Sequence, residues 1–190
     1  MKKYAHVLFL LAVMFAAISC ETRKQQDSKE EAEDTNKDNL AQTDIKADGD
    51  FAVEAADGGM LEVELGKLAE SKGIDAQVKA FGQSMAADHG KANEELKSLA
   101  QQKNIAIPGS LSEKSQKTYD DLAQKSGTDF DKAYIKLMVD DHQEDIDAFK
   151  KQSEKGNDPD LKAWATAKLP ILSHHLEMAK QAKDALDRKK

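Results

Sequence analysis

Apolar residues recur every three or four positions along most of this chain, and no run of β-branched residues alternates with a period of two. That pattern fits helices that each bury one stripe, and it leaves no segment that reads as a strand. One stripe runs through Val78, Phe81, Met85, Ala92, Leu96 and Leu99. A second takes in Tyr134 or Ile135, Met138, Ile146 and Phe149. A third holds Leu161, Trp164, Leu172, Ala179, Ala182 and Leu186. Upstream, Phe51, Ala55, Gly58, Glu62, Leu65 and Ala69 share a face. The same region is rich in Ala, Leu, Glu, Lys and Gln, which are good helix formers.

Capping residues divide the stripes into elements. Asp50 can cap a first helix, over about 51–71, that Lys72-Gly73 ends. Asp75 caps a second helix, with Ile74 placed to pack back on it, and that helix ends near Lys103. Pro108 and Gly109 break any continuation. Ser110 and Glu113 have capping-box spacing for a short helix to Ser126, and Thr128 and Asp131 repeat that spacing before a long one. Gly156-Asn157 ends it, and Asp158 with Pro159 opens the last helix. In that last stripe Lys168 is out of character; either it snorkels or Ala165 and Leu169 carry the face.

Four long helices and a short one result. The tight turns make the first pair and the last pair antiparallel hairpins. The stretch from Asn104 to Gly127 is long enough to run the length of the bundle. The expected fold is therefore all-α: a ferritin-like four-helix bundle with an additional short helix in the crossover. Up-down-up-down connectivity, with the short helix across one end, is the alternative.

His89, His142 and His175 each interrupt the apolar stripe of a different helix. At about 1.5 Å per residue all three reach mid-bundle height, and Glu62 reaches a similar level in the crossover arrangement. Bundles build internal metal sites from such side chains, so His89, His142, His175 and Glu62 are candidate ligands for a divalent transition metal: zinc, iron, copper or nickel. The sequence has a weak internal echo. Met85-Ala-Ala-Asp88-His89 matches Met138-Val-Asp-Asp141-His142. It places Met85 over His89 and Met138 over His142, with Asp88 and Asp141 at the stripe's edge, where each can orient an imidazole from outside the ligand set. The alternative is a set of core histidines bonded to aspartates with no metal. The Glu-x-x-His spacing of di-iron bundles is absent, which argues against oxygen activation. His174 points elsewhere. Pro170 leaves the Thr166 carbonyl without its helical partner, and its kink either widens the bundle for a ligand or matches local packing. No glycine-rich phosphate loop or Ser–His–Asp arrangement is recognisable, and no reaction is assigned.

The N-terminus reads as an export signal. Met1-Lys2-Lys3 is basic, Val7 to Ile18 is apolar and short for a membrane span, and Ala17-Ile18-Ser19 precedes Cys20, the chain's one cysteine. Residues 1–19 resemble a bacterial lipoprotein signal. By that resemblance Cys20 is lipidated, and membrane lipid is a partner through N-terminal acylation; an ordinary secretory signal with a chance cysteine is the alternative. Residues 20–47 are charged and nearly devoid of apolar side chains, and read as a disordered tether before a domain over 48–187. The net charge of -7, with lysines interspersed among acids, predicts no nucleic-acid partner. The expected location is the bacterial cell envelope, lipid-anchored. Glu21 rather than aspartate after Cys20 favours the outer membrane.

Several runs together resemble the bacterial DUF4142 family. They are Gly58-Gly59-Met60-Leu61-Glu62-Val63-Glu64-Leu65-Gly66, Phe81, Met85-Ala-Ala-Asp88-His89, Phe130-Asp131-Lys132-Ala133-Tyr134, His142, and Leu169, Pro170, His175 and Leu176 of the last helix. The resemblance implies a ferritin-like architecture and marks His89, His142 and His175 as important positions. It implies no particular reaction. The function expected is an envelope lipoprotein whose bundle binds a metal or small ligand at the histidine cluster. The alternative is a non-catalytic structural or protein-interaction module.

Overall fold

The computed structural model describes residues 26–189. Among them are α1 (Ser28–Asn39), α2 (Lys46–Lys72), α3 (Ala76–Gln102), α4 (Glu113–Ala123), α5 (Gly127–Lys155) and α6 (Pro159–Arg188), with no strand in the described residues. The fold is an all-α helical bundle. Cys20, expected to carry lipid, and residues 1–19, expected to form a signal peptide, lie outside the described residues.

α2 packs along α3 and α5 along α6, the two expected hairpins. Hydrogen bonds at each end of the bundle give the connectivity. Asp131, at the start of α5, accepts from the backbone N–H groups of Ile74 (3.2 Å) and Asp75 (2.8 Å) in the α2–α3 turn. At the other end Asp48, fully buried at the start of α2, accepts from Gln152 Nε2 (2.6 Å) and from the N–H groups of Asn157 (3.1 Å) and Asp158 (3.2 Å). Lys103, just past α3, pairs with Asp158 at 2.8 Å. So α2 runs antiparallel to α5, and α3 to α6. The segment from Lys103 to Ser126 crosses from one end of the bundle to the other, as the crossover arrangement requires. Midway it is held by Asp57 of α2, whose carboxylate accepts from Ser112 N–H (2.8 Å), Ser112 Oγ (2.7 Å) and Ser115 Oγ (2.7 Å).

Several boundaries differ from those expected. Asp50 does not cap α2: the helix begins at Lys46, and Asp50 pairs with Lys46 one turn back at 2.8 Å. The N-cap of α4 is Ser112, which accepts from Ser115 N–H, rather than Ser110. α5 starts at Gly127, with Ser126 as N-cap and no side-chain cap bond, and Asp131, expected in a capping box with Thr128, instead serves the α2–α3 turn. Ile74 does not pack back on α3 and is 65% exposed. Asp75 and Asp158 cap as expected. α6 continues through Pro170, whose exposed position lets water take up the Thr166 carbonyl. Lys168 is half-buried, pairs with Glu95 and lies over the Trp164 ring.

The segment read as a tether is a helix over Ser28–Asn39. Asp27 caps it through the N–H groups of Lys29 (2.8 Å) and Glu30 (3.3 Å). Its docking is mainly polar. Asn36 donates to the Ala106 carbonyl (2.8 Å) and accepts from the Ala106 N–H (2.7 Å), Asn39 donates to the Asn104 carbonyl (3.1 Å), and Lys29 pairs with Glu54 (2.6 Å). Only Ala32 and Leu40 add buried apolar contact.

Two apolar layers flank mid-bundle. Leu65, Phe81, Met85, Tyr134, Met138 and Ala182 belong to one, around the α2–α3 turn. Toward the other end lie Ile146, Phe149, Ala165 and Leu172, then Ala56, Leu96 and Leu161. The buried polar side chains of the candidate site fall between these layers.

Candidate metal centre

Each histidine occupies the stripe position its helix reserves for a core residue. His89 follows Met85 on α3, His142 follows Met138 on α5, and His175 follows Leu172 on α6. The structure brings all three together. The ring centroids of His89 and His142 are 5.5 Å apart, those of His89 and His175 5.3 Å, and those of His142 and His175 5.5 Å. One nitrogen from each ring lies within 4.8 Å of the other two. Exposure is 7% for His89, 0% for His142 and 1% for His175, so water does not solvate the set.

Carboxylates stand on the outer sides of these rings. Glu62, 2% exposed on α2, has Oε2 at 2.6 Å from His89 Nδ1. The other nitrogen of that ring, Nε2, faces His175 Nδ1 at 3.3 Å. His175 Nε2 in turn meets Asp88 Oδ2 at 2.9 Å. Asp88 thus reaches an imidazole on α6, across the helix pair, rather than its sequence neighbour His89. Glu62, expected as a ligand, sits behind His89 on the side of the ring away from His175. Its Oε1 is 3.5 Å from His142 Nδ1, without hydrogen-bond alignment. A carboxylate oxygen of Asp141, one of Glu62 and a ring nitrogen of His142 fall within 4.8 Å of one another. Met85 and Met138 are fully buried in the apolar layer beneath the rings. His174 is exposed.

Sequence reasoning misses Asp145. It lies one turn beyond Asp141 on α5, and the charges of Glu62 and Asp141 add to the burial that raises its pKa. The four-residue spacing from Asp141 is the available signal. Tyr134, a core aromatic by its spacing, has a buried hydroxyl with no hydrogen-bond partner, and burial, then Glu62, holds its proton on.

Burial governs the proton balance. It lowers the pKa of His89 and of His175, and brings His142 down to about 3, with the neighbouring histidines adding to the last shift. The Met138 carbonyl favours the charged His142 ring slightly, without hydrogen-bond geometry. Burial, then Asp141, pushes Glu62 well up; burial also raises Asp141, and raises Asp145 well up. At neutral pH the imidazoles are therefore uncharged, the form in which they bind metals.

Two proton arrangements suit Glu62, His89, His175 and Asp88. In one, protonated Glu62 donates to His89 Nδ1, His89 Nε2 donates to His175 Nδ1, and His175 Nε2 donates to Asp88. In the other, His89 donates to an ionised Glu62 and His175 to Asp88. Two lone pairs then face each other at 3.3 Å and call for a cation between them. Neither arrangement satisfies His142, whose Nδ1 and Nε2 are both buried and unpartnered.

The fold and its interior define a helical bundle with a buried imidazole and carboxylate centre. The chain belongs to the family described as Domain of unknown function (DUF4142), whose model matches residues 29–182. That match begins in α1, which places the helix inside the shared unit. No curated protein and no solved structure matches the chain.

Proposed function

We propose that this protein is an envelope lipoprotein whose bundle binds a divalent transition metal through His89, His142 and His175. The observation that carries the reading is His142. A fully buried imidazole with neither nitrogen hydrogen-bonded forfeits about 1–3 kcal/mol. A metal at the meeting point of the three rings repays that loss. The spacing supports this: imidazole nitrogens bound at 2.0–2.1 Å to a tetrahedral ion lie about 3.3 Å apart, the separation of His89 Nε2 from His175 Nδ1. Glu62 and Asp88 would then fix the ring orientations from behind, as carboxylates do for metal-bound histidines. Three neutral nitrogen donors suit zinc, iron, copper or nickel.

The test is metal content and affinity of the untagged, chelator-stripped protein, by elemental analysis and calorimetric titration. About one zinc-class ion should bind per chain with micromolar affinity or tighter. The His89→Ala, His142→Ala, His175→Ala triple variant should lose it. Failure of the folded wild type to bind below millimolar concentration would reject the reading.

Lipid attachment at Cys20, a tethered location in the cell envelope and the outer membrane as its site are part of the same proposal, supported by the sequence signal alone. No described helix is long and apolar enough to cross a membrane.

The competing reading, a non-catalytic structural or interaction module, draws on one observation. Glu62, His89, His175 and Asp88 can form a continuous hydrogen-bonded chain with no metal. It predicts that a chelator leaves the melting temperature of the protein as isolated unchanged. A drop that a single metal reverses would remove it.

A further inference from the structure

Binding at the three imidazoles leaves one buried group without a role. No N–H or hydroxyl donor reaches Glu62 Oε1, although its residue is 2% exposed, and the Glu62 carboxyl is within hydrogen-bonding reach of the Asp141 carboxyl, so a proton shared between the two is the metal-free arrangement. Glu62 Oε1 does not point into apolar packing. With Asp141 and His142 it forms a second ligand set, one donor atom from each lying within 4.8 Å of the others. Asp145, one turn along α5, lies near enough for the charges of Glu62 and Asp141 to act on it. A cavity of about 30 Å³ between α2, α3, α5 and α6 is lined by Glu62, Asp88, His89 and Asp145 and opens past Lys168 and Ile171. It has room for a single water-sized occupant.

We propose a second cation position beside the histidines, formed by Glu62, Asp141 and a ring nitrogen of His142, with Asp145 one turn along α5, that takes a hard divalent ion such as Mn²⁺, Fe²⁺ or Mg²⁺. It shares His142 with the three-imidazole site but does not require metal there.

Glu62 and Asp141, close enough to share a proton, repel one another once both are ionised; among the described residues neither has a lysine or arginine as a hydrogen-bond or ion-pair partner, and Lys114 acts on Asp141 only from a distance. Lys168, the basic residue lining the cavity, is committed to Glu95. A divalent ion offsets the repulsion and takes the place of the shared proton. Oxygen donors select hard ions, whereas the imidazole set selects borderline ones. The two positions would therefore discriminate by metal. A cation in the cavity meets Asp145 and Glu62, which line it together with Phe149, Trp164 and Leu172 of one apolar layer.

The experiment uses the untagged full chain in detergent, stripped by chelator, with Mn²⁺ titrated against the free-ion electron paramagnetic resonance signal. The titration is run on zinc-free protein and on protein given one equivalent of zinc. Both should bind about one Mn²⁺ per chain tighter than millimolar. The Asp141→Asn, Asp145→Asn variant should bind Mn²⁺ at least about tenfold more weakly while keeping its first zinc equivalent. The His89→Ala, His175→Ala variant should do the reverse. Should the aspartate pair fail to fold, Asp141→Asn alone, also at a half-buried position, carries the test. Absence of Mn²⁺ binding below millimolar in both forms of the wild type overturns the proposal, and so does unchanged binding in the aspartate variant. If zinc does not bind but Mn²⁺ does, in an aspartate-dependent way, the three-imidazole reading falls and the carboxylate position stands.

Discussion

At the scale of single residues, His142 separates a metal centre from a core polar cluster, because the two readings assign its replacement opposite signs. Its nitrogens are buried and unpartnered, so a leucine of similar size removes an uncompensated polar group. His142→Leu should therefore raise the stability of metal-free protein by about 1–3 kcal/mol and abolish metal binding. Urea unfolding with chelator present, alongside a zinc titration, checks both halves. A loss of stability in metal-free protein would mean that the ring makes favourable contacts with no metal present.

The pH response of metal-free protein follows from the same burial. His142 titrates near 3 when folded, against an ordinary value of 6.5. The unfolded chain then binds the extra proton between those values, so stability should fall as pH drops from about 6.5 toward 3. Glu62 acts in the opposite direction. Its folded pKa lies well above 4.5, so the folded state holds a proton that the unfolded state has released, and stability falls as pH rises above 4.5. Urea midpoints from pH 4 to 8 in chelator should show His142→Leu flattening the acid side and Glu62→Gln flattening the alkaline side. Identical profiles for all three proteins would contradict the assigned burial effects.

At the scale of elements, the α2–α3 hairpin depends on a close backbone approach. A Cβ added to Gly66 would lie 2.6 Å from the Gly82 carbonyl oxygen, and a Cβ on Gly82 would lie 2.6 Å from that of Gly66. Neither backbone can move aside as a flexible side chain would. Gly66→Ala and Gly82→Ala should each cost about 1–3 kcal/mol despite the better helix propensity of alanine. Gly58 faces open space, with no atom within 4 Å of where a Cβ would sit. Gly58→Ala should therefore leave the thermal denaturation midpoint little changed or raised.

The long helices and the convergence of the histidines were legible because apolar spacing encodes burial directly. Met85, His89, Met138, His142, Leu172 and His175 all occupy the buried faces that periodicity assigned. α1 was not legible for the converse reason. Its docking runs through Asn36, Asn39 and Lys29, and polar contacts leave no periodic trace in a charged segment. The roles of Asp131 and Glu62 were hidden in the same way. A carboxylate's partner is set by which helix lies opposite, and Asp131 meets Ile74 and Asp75 over a sequence distance that no local spacing describes.

At the scale of the whole molecule, α1 changes what an anchor at Cys20 would do. Its start is fixed to the middle of the crossover: Ser28 Oγ accepts from Gly109 N–H at 3.0 Å, and Asp27 accepts from Glu113 N–H. From Cys20 to Asp27 an extended chain reaches at most about 28 Å, far less than a tether running to residue 47. Lipid at Cys20 would thus hold the bundle close to the membrane by its flank. Cys20→Ser should abolish labelling by a palmitate analogue, because the thiol that carries the lipid is gone. An Asn36→Ala variant, which removes both bonds to Ala106, should remain lipidated and membrane-bound while α1 becomes sensitive to protease. Equal labelling of wild type and Cys20→Ser would reject the anchor. Unchanged proteolysis of Asn36→Ala would show that α1 is held by its apolar contacts at Ala32 and Leu40 instead.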